Sequence, residues 1–203
     1  MDKKEMVRKG YNIAAEGYLD KRNESLEEMN FMPEFCSLIP KESLVLDLGC
    51  GAGIPFTSYL SERFDVIGID ISDKQIELAK KNVPKATFIR KDMTELDFDD
   101  NYFGGILAYF SIIHIPREEH QSLFVNLYRI LQPNGVALFT LHSTDDPEYI
   151  NEDFFGSKMY WSGFDTETNL KLLKEAGFKI IWFKLITDTL NKDVKALYVF
   201  IKK

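Results

Sequence analysis

The sequence predicts an α/β fold in which helices cover both faces of a seven-stranded, mostly parallel sheet. Two observations lead there. Between "SLVLDLG" (residues 43–49) and "GVALFTL" (135–141), short apolar runs alternate with stretches of helical spacing, the rhythm of βαβ units whose strands are buried on both faces. Near the end of the chain, only eight residues separate Ile186 from Lys195. A parallel crossover needs a dozen or more, so the last two strands must pair antiparallel.

The elements follow in order. Residues 2 to about 38 read as helical, with Met6, Tyr11, Ile13, Ala14 and Tyr18 at helical intervals, and with Pro33 as a kink or first-turn residue of a second segment. "SLVLDLG" is the first strand and "IPFTSYLSERF" the helix behind it. "DVIGID" is the second strand, followed by a helix in "SDKQIELAKKNV" that Ser72 or Asp73 can cap and that carries Ile76, Leu78 and Ala79. "ATFIRKD", "GGILAYFS" and, after the helix "EEHQSLFVNLYRIL" and the turn "QPNG", "GVALFTL" are the third to fifth strands. The helix "DTETNLKLLKEAG" stops at Gly177, and "FKIIWFKLI" and "KALYVFIKK" form the closing pair.

Composition narrows the function. With 203 residues, 45% apolar and 28% charged, the chain is expected to be one globular domain over 1–203. Its net charge of −7, with no stripe of Lys and Arg, disfavours a nucleic-acid partner. Cys36 and Cys50 lack metal-ligand spacing and read as reduced thiols of a cytoplasmic protein, and no apolar run approaches the ~20 residues of a membrane span.

The chemistry is concentrated in "VLDLGCGAGIP" at residues 45–55. Gly49, Gly51 and Gly53 follow a strand and the acid Asp47, and a glycine turn at a strand's carboxyl end lets a ligand approach the backbone in an open α/β sheet. The nicotinamide dinucleotide fingerprint would require a glycine at position 54, where Ile54 stands. Asp70, 23 residues after Asp47, ends the second strand, where its carboxylate can accept from both hydroxyls of a ribose. Asp92 and Met93 end the third strand along the same edge; the acid can accept from an adenine amine while the thioether packs on the ring.

Taken together, the stretch Asp47 to Gly53, the strand-end Asp70, the pair Asp92-Met93, "GGILAYFSIIHIP", "LQPNGVALF" and the terminal hairpin resemble the class I S-adenosylmethionine-dependent methyltransferases from about residue 8 onward. The resemblance implies a Rossmann-like three-layer α/β/α sandwich and S-adenosylmethionine as cofactor. It would lay Gly49, Gly51 and Gly53 against the methionyl part and ribose, Asp70 on the ribose hydroxyls, Asp92 on the adenine amine, and Ile71 and Met93 on the ring. "YNIAAEGY" resembles the first helix of that family, so Tyr11 and Tyr18 would close the pocket, their faces suited to a sulfonium. The chain departs from the family at Phe103-Gly104, where Phe-Asp is common. It also lacks the Asn/Asp-Pro-Pro-Tyr/Phe motif of nucleobase-amine methylation.

For the acceptor, a small molecule is expected, with in-line transfer assisted by positioning. His114, just after the fourth strand, is the candidate general base; His142 is a weaker one, and His120 is expected on a helix surface. Residues 142–164 form a long connection expected to act as a lid, with residues 1–40 as a helical cap. Phe154, Phe155, Tyr160 and Trp161 in that lid suggest a partly apolar acceptor. A non-catalytic adenosine-binding module and, with less support, a nicotinamide-dependent oxidoreductase are the competing readings.

Overall fold

The computed structural model describes residues 2–23, 27–188 and 191–203. The chain opens with α1 (Lys3–Asn23), a 3-10 turn (Glu27–Phe31) and α2 (Met32–Leu38), which has Pro33 in its first turn. The part of the expected N-terminal helical stretch at residues 24–26 lies outside the described residues.

The main sheet contains β1 (Leu44–Leu48), β2 (Asp65–Asp70), β3 (Thr87–Arg90), β4 (Phe103–Ala108), β5 (Leu131–His142), β8 (Lys179–Thr187) and β9 (Lys195–Lys202), in the order β3-β2-β1-β4-β5-β9-β8. The first five are parallel; β9 inserts antiparallel between β5 and the edge strand β8. Helices α2 and α3 (Phe56–Ser61) pack on one face through Phe35 and Leu60, against Val45, Leu107 and Phe200. On the other face, α5 (His120–Ile130) and α6 (Thr166–Glu175) bury Phe124, Leu127 and Leu173 against Leu46, Ile106 and Phe139. This is the expected α/β/α sandwich. The remaining helix, α4 (Asp73–Asn82), is capped by Ser72, whose hydroxyl accepts from Gln75 N at 3.1 Å.

The departure lies in residues 142–164. Rather than an irregular connection, they contain a second sheet, β6 (Asp146–Phe154) paired antiparallel with β7 (Ser157–Gly163), turning at Phe155 and Gly156, which both have positive φ. Two register irregularities break the apolar alternation, and Phe-Gly is not one of the strong two-residue turn signals. The period-2 pattern was therefore hidden. Among the described residues, no helix is long and apolar enough to cross a membrane.

Strand order reverses at β1, with β2 on one side and β4 on the other. Successive connections leave to opposite sides there and open a crevice at the carboxyl ends of the strands. The glycine turn after β1, Asp70 at the end of β2 and the loop after β4 all face this crevice.

Candidate active site

A cavity open to solvent occupies the crevice. Its floor begins where β1 ends. Gly49 N and Cys50 N both donate to Ile69 O, at 2.8 and 2.9 Å, tying the turn to the end of β2. Gly49 has φ 78°, and a Cβ built on it would lie 2.2 Å from Ser111 Cβ, so this position excludes any side chain. Ser111 in turn donates to Leu48 O at 2.5 Å. The turn after β1 and the loop after β4 are thus fitted into each other.

Gly49, Gly51, Asp70, Ile71, Met93 and Asp92 line the cavity, together with Tyr11, Tyr18 and His114. Two expected residues do not. Asp47 borders a neighbouring recess with Tyr18, Cys50 and Phe56. Gly53 points away altogether: a Cβ there would press on Val83 and Phe88 at 3.1 and 3.3 Å, so its lack of a side chain serves the packing of α4 and β3 on the turn.

The carboxylates differ in environment. Asp70 accepts from Gly51 N at 2.9 Å and Ser72 N at 2.8 Å, and burial, opposed by these N–H groups, raises its pKa to about 6. Asp47 is 2% exposed, and burial pushes it up to about 7 despite the hydroxyl of Thr57 donating at 2.5 Å. Asp92 accepts from Thr94 N and Thr94 Oγ1 at 2.8 and 2.9 Å, and its other oxygen lies 3.2 Å from Lys4 Nζ.

The roof comes from α1 and the β6–β7 hairpin. Met6 and Val7 of α1 pack on Met159 and Tyr160 of β7. Tyr11 and Tyr18 meet edge to face at 5.4 Å, and Phe154 supports both at 5.9 and 5.8 Å. Of the hairpin aromatics expected to touch an acceptor, Phe154, Phe155, Tyr160 and Trp161 are absent from the lining; Phe154 and Trp161 instead stand behind Tyr11, Tyr18 and His114. The lining aromatics are Tyr11, Tyr18, Tyr109 and Phe110.

His114 is buried, with Nδ1 2.7 Å from Tyr160 O and Nε2 2.8 Å from the Tyr11 hydroxyl. A carbonyl can only accept, so Nδ1 carries a proton, and in the neutral ring Nε2 presents its lone pair to Tyr11. The other histidines leave the site. His142 packs its ring against Gly163 and is half-buried, and this partial burial lowers its pKa. His120, expected on the surface, is 1% exposed, with Nε2 3.1 Å from Ile115 O and a pKa lowered by burial to about 4. Both Cys36 and Cys50 are free thiols.

Sequence reasoning missed Lys4, Val7, Gln75, Tyr109, Phe110 and Ser111. The last three directly follow β4 at a carboxyl end, a signal that was available. Lys4 and Val7 had none, because only the docking of α1 brings them to the crevice. Phe110 has φ 47°, and its N–H, beyond the end of the β4–β5 ladder, goes to the Thr140 hydroxyl. Gly104, where the family has an acid, faces Ser43 so closely that a Cβ would stand 2.3 Å from it.

These residues fit an adenosine-bearing cofactor: apolar lining from Ile71 and Met93, a half-buried carboxylate at Asp70 and a side-chain-free approach at Gly49. Comparison with known proteins agrees. The Methyltransferase domain family matches residues 45–135. An uncharacterized methyltransferase of Synechocystis sp. is 31% identical over 144 residues, which cover 68% of this chain and 67% of the relative. Phosphoethanolamine N-methyltransferase of Plasmodium falciparum is 25% identical over 190 residues, 90% of this chain and 68% of that protein. The chain spans less than half the length of the fungal sterol 24-C-methyltransferases that it also matches. Among solved structures, the 1,6-didemethyltoxoflavin-N1-methyltransferase of Burkholderia thailandensis, with 1,6-didemethyltoxoflavin and S-adenosylhomocysteine bound, aligns with TM-score 0.73 at 16% identity, over 97% of this chain and 86% of that one.

Proposed function

This chain belongs to the class I S-adenosylmethionine-dependent methyltransferases, and we propose that it methylates a small molecule enclosed between the sheet edge, α1 and the β6–β7 hairpin. The observation that carries this reading is the roof. Tyr11 and Tyr18 close over the crevice, with Phe154 packed behind both rings. A nucleic acid would need an open, cationic approach, whereas the chain carries a net charge of −7.

Within this reading, S-adenosylmethionine supplies an electrophilic methyl group on a sulfonium. The chain's own residues do the rest. Asp70 would hold the ribose hydroxyls, Ile71 and Met93 would pack on the adenine ring, and Asp92 would accept from its amine. Gly49 and Gly51 would line the approach to the methionyl part, and Asp47, which borders the adjoining recess, would lie toward its ammonium end. The helical cap, through α1, and the hairpin lid would exclude water and hold the acceptor in line. For an acceptor that loses a proton, His114 is the base: Nε2 takes it, directly or through the Tyr11 hydroxyl, while the Tyr160 carbonyl stabilises the imidazolium through Nδ1–H.

The test is S-adenosylhomocysteine formation with panels of phenols, amines, thiols and carbon acids, run beside tRNA, duplex DNA and unfolded protein. Turnover of a small molecule is expected. Turnover with a polymer alone would overturn the reading.

A further inference from the structure

We propose that Lys4, in the first turn of α1, is a positioning residue that holds Asp92 for the adenine amine and so couples closure of α1 to recognition of the purine. The inference rests on the assignment of Asp92 to the adenine.

Lys4 lines the cavity and joins three separate parts of the chain. Its Nζ lies 3.2 Å from Asp92 Oδ2, 2.7 Å from Thr94 Oγ1 and 2.6 Å from Glu119 Oε2. Asp92 and Thr94 belong to the loop after β3, and Glu119 to the turn that leads into α5. Each partner is consistent with the next: Thr94 gives its hydroxyl proton to Asp92 Oδ1 and accepts from Lys4. The Asp92 carboxylate is therefore gripped on one oxygen by Thr94 and on the other by the Lys4 ammonium, which limits its rotation. A carboxylate oxygen held in this orientation accepts from an exocyclic amine. It offers nothing to the carbonyl oxygen that replaces that amine in a hypoxanthine ring.

The same ammonium is the attachment of the roof nearest the start of α1. Further along, Asn12 Oδ1 accepts from Ser72 Oγ at 2.7 Å and Lys74 N at 3.1 Å, and Tyr11 meets His114. Lys4 differs from these two because its anchor is itself an adenine-facing group. Side-chain exposures of 20% for Lys4 and 17% for Asp92 take the pair out of the weak, fully solvated class of ion pairs.

The experiment measures binding of S-adenosylhomocysteine and of S-inosylhomocysteine, its 6-oxo counterpart, by titration calorimetry to the unaltered protein, Lys4→Met, Lys4→Arg and Asp92→Asn. The unaltered protein should prefer the amine. Lys4→Met should weaken S-adenosylhomocysteine about tenfold, the loss of one charge-assisted hydrogen-bond arrangement, and S-inosylhomocysteine by less than about twofold. Lys4→Arg should restore most of the preference. Equal losses for both ligands would reduce Lys4 to docking α1 and overturn the proposal, as would undiminished discrimination in Lys4→Met. A parent protein that does not distinguish the two ligands, or an Asp92→Asn that still distinguishes them fully, would instead remove the adenine contact, and the proposal with it.

Discussion

The hydroxyl of Tyr11 lies 2.8 Å from Nε2 of His114, while the opposite ring nitrogen lies 2.7 Å from the carbonyl of Tyr160. One imidazole thus joins α1, the loop after β4 and the hairpin, and its tautomer is decided by the carbonyl. The proposed base depends on this arrangement. His114→Ala should lower kcat by about 10²–10⁴-fold for an oxygen acceptor, the usual range for losing a general base. Affinity for S-adenosylhomocysteine should change little. Tyr11→Phe should cost less than His114→Ala, since Nε2 can still reach the acceptor. Initial rates and calorimetry on the same preparations separate the two effects; a His114→Ala enzyme of full kcat would leave the histidine a structural role.

Binding of the cofactor product should depend on pH. Burial raises Asp47 to about 7 and Asp70 to about 6, so the ligand-free fold holds these protons more tightly than the unfolded chain does. That contribution to folding is complete below the ordinary carboxyl range and fades as pH rises through about 6 to 7. A ligand that offers an ammonium and two ribose hydroxyls favours the ionised forms. Affinity for S-adenosylhomocysteine should therefore climb with pH through this window and level off above it, with proton release on binding. Calorimetry in two buffers of different ionisation enthalpy measures the protons released; identical heats in both would contradict the assignment.

His120 works in the opposite direction on stability. Burial holds it neutral, with a folded pKa of about 4 against an ordinary value of 6.5. The unfolded chain therefore binds the extra proton first as the solution is acidified. Its contribution is intact above the ordinary histidine range and declines as pH falls toward 4, by up to about 3 kcal/mol over the full interval. Urea unfolding should show a shallower loss of stability between about pH 7 and pH 4 in His120→Gln than in the parent. Parallel curves would place the acid sensitivity elsewhere.

The glycines of the turn should separate into two kinds. In Gly49→Ala the new Cβ collides with Ser111 at 2.2 Å in the middle of the site, whereas in Gly53→Ala it presses on Val83 and Phe88 at 3.1 and 3.3 Å outside it. Gly53→Ala should lower stability by about 1–3 kcal/mol, through left-handed backbone and crowding, and keep S-adenosylhomocysteine affinity within a few-fold. Gly49→Ala should abolish measurable binding, and Ser111→Gly in the same chain should recover part of it. Denaturant titration beside calorimetry tests both halves; equal binding losses for the two substitutions would refute the distinction.

Much of this was legible in the residues. The alternation of apolar strands with helices, the short connection before Lys195, and Asp47, Gly49, Asp70 and Asp92 at successive strand ends all follow from local spacing. The sheet topology then brings Gly49, Asp70 and Asp92 to one edge. The β6–β7 hairpin was not legible, because register breaks blurred its alternation. His120 was misjudged because its helix carries mixed neighbours, and burial of Phe124 and Leu127 on the same face became evident only once α5 was packed.

By itself the sequence determined the sheet, its antiparallel end and the residues at the sheet edge that line the cavity, since strand and turn propensities and the reach of a short connection are local physics. Only the tertiary structure decided that Gly53 serves packing, that Lys4 meets Asp92, and that Tyr11 meets His114 under the Tyr160 carbonyl. Those relationships span 88 residues between Lys4 and Asp92 and 103 between Tyr11 and His114. They exist because the apolar face of α1 docks on the hairpin, a long-range contact that no local pattern encodes.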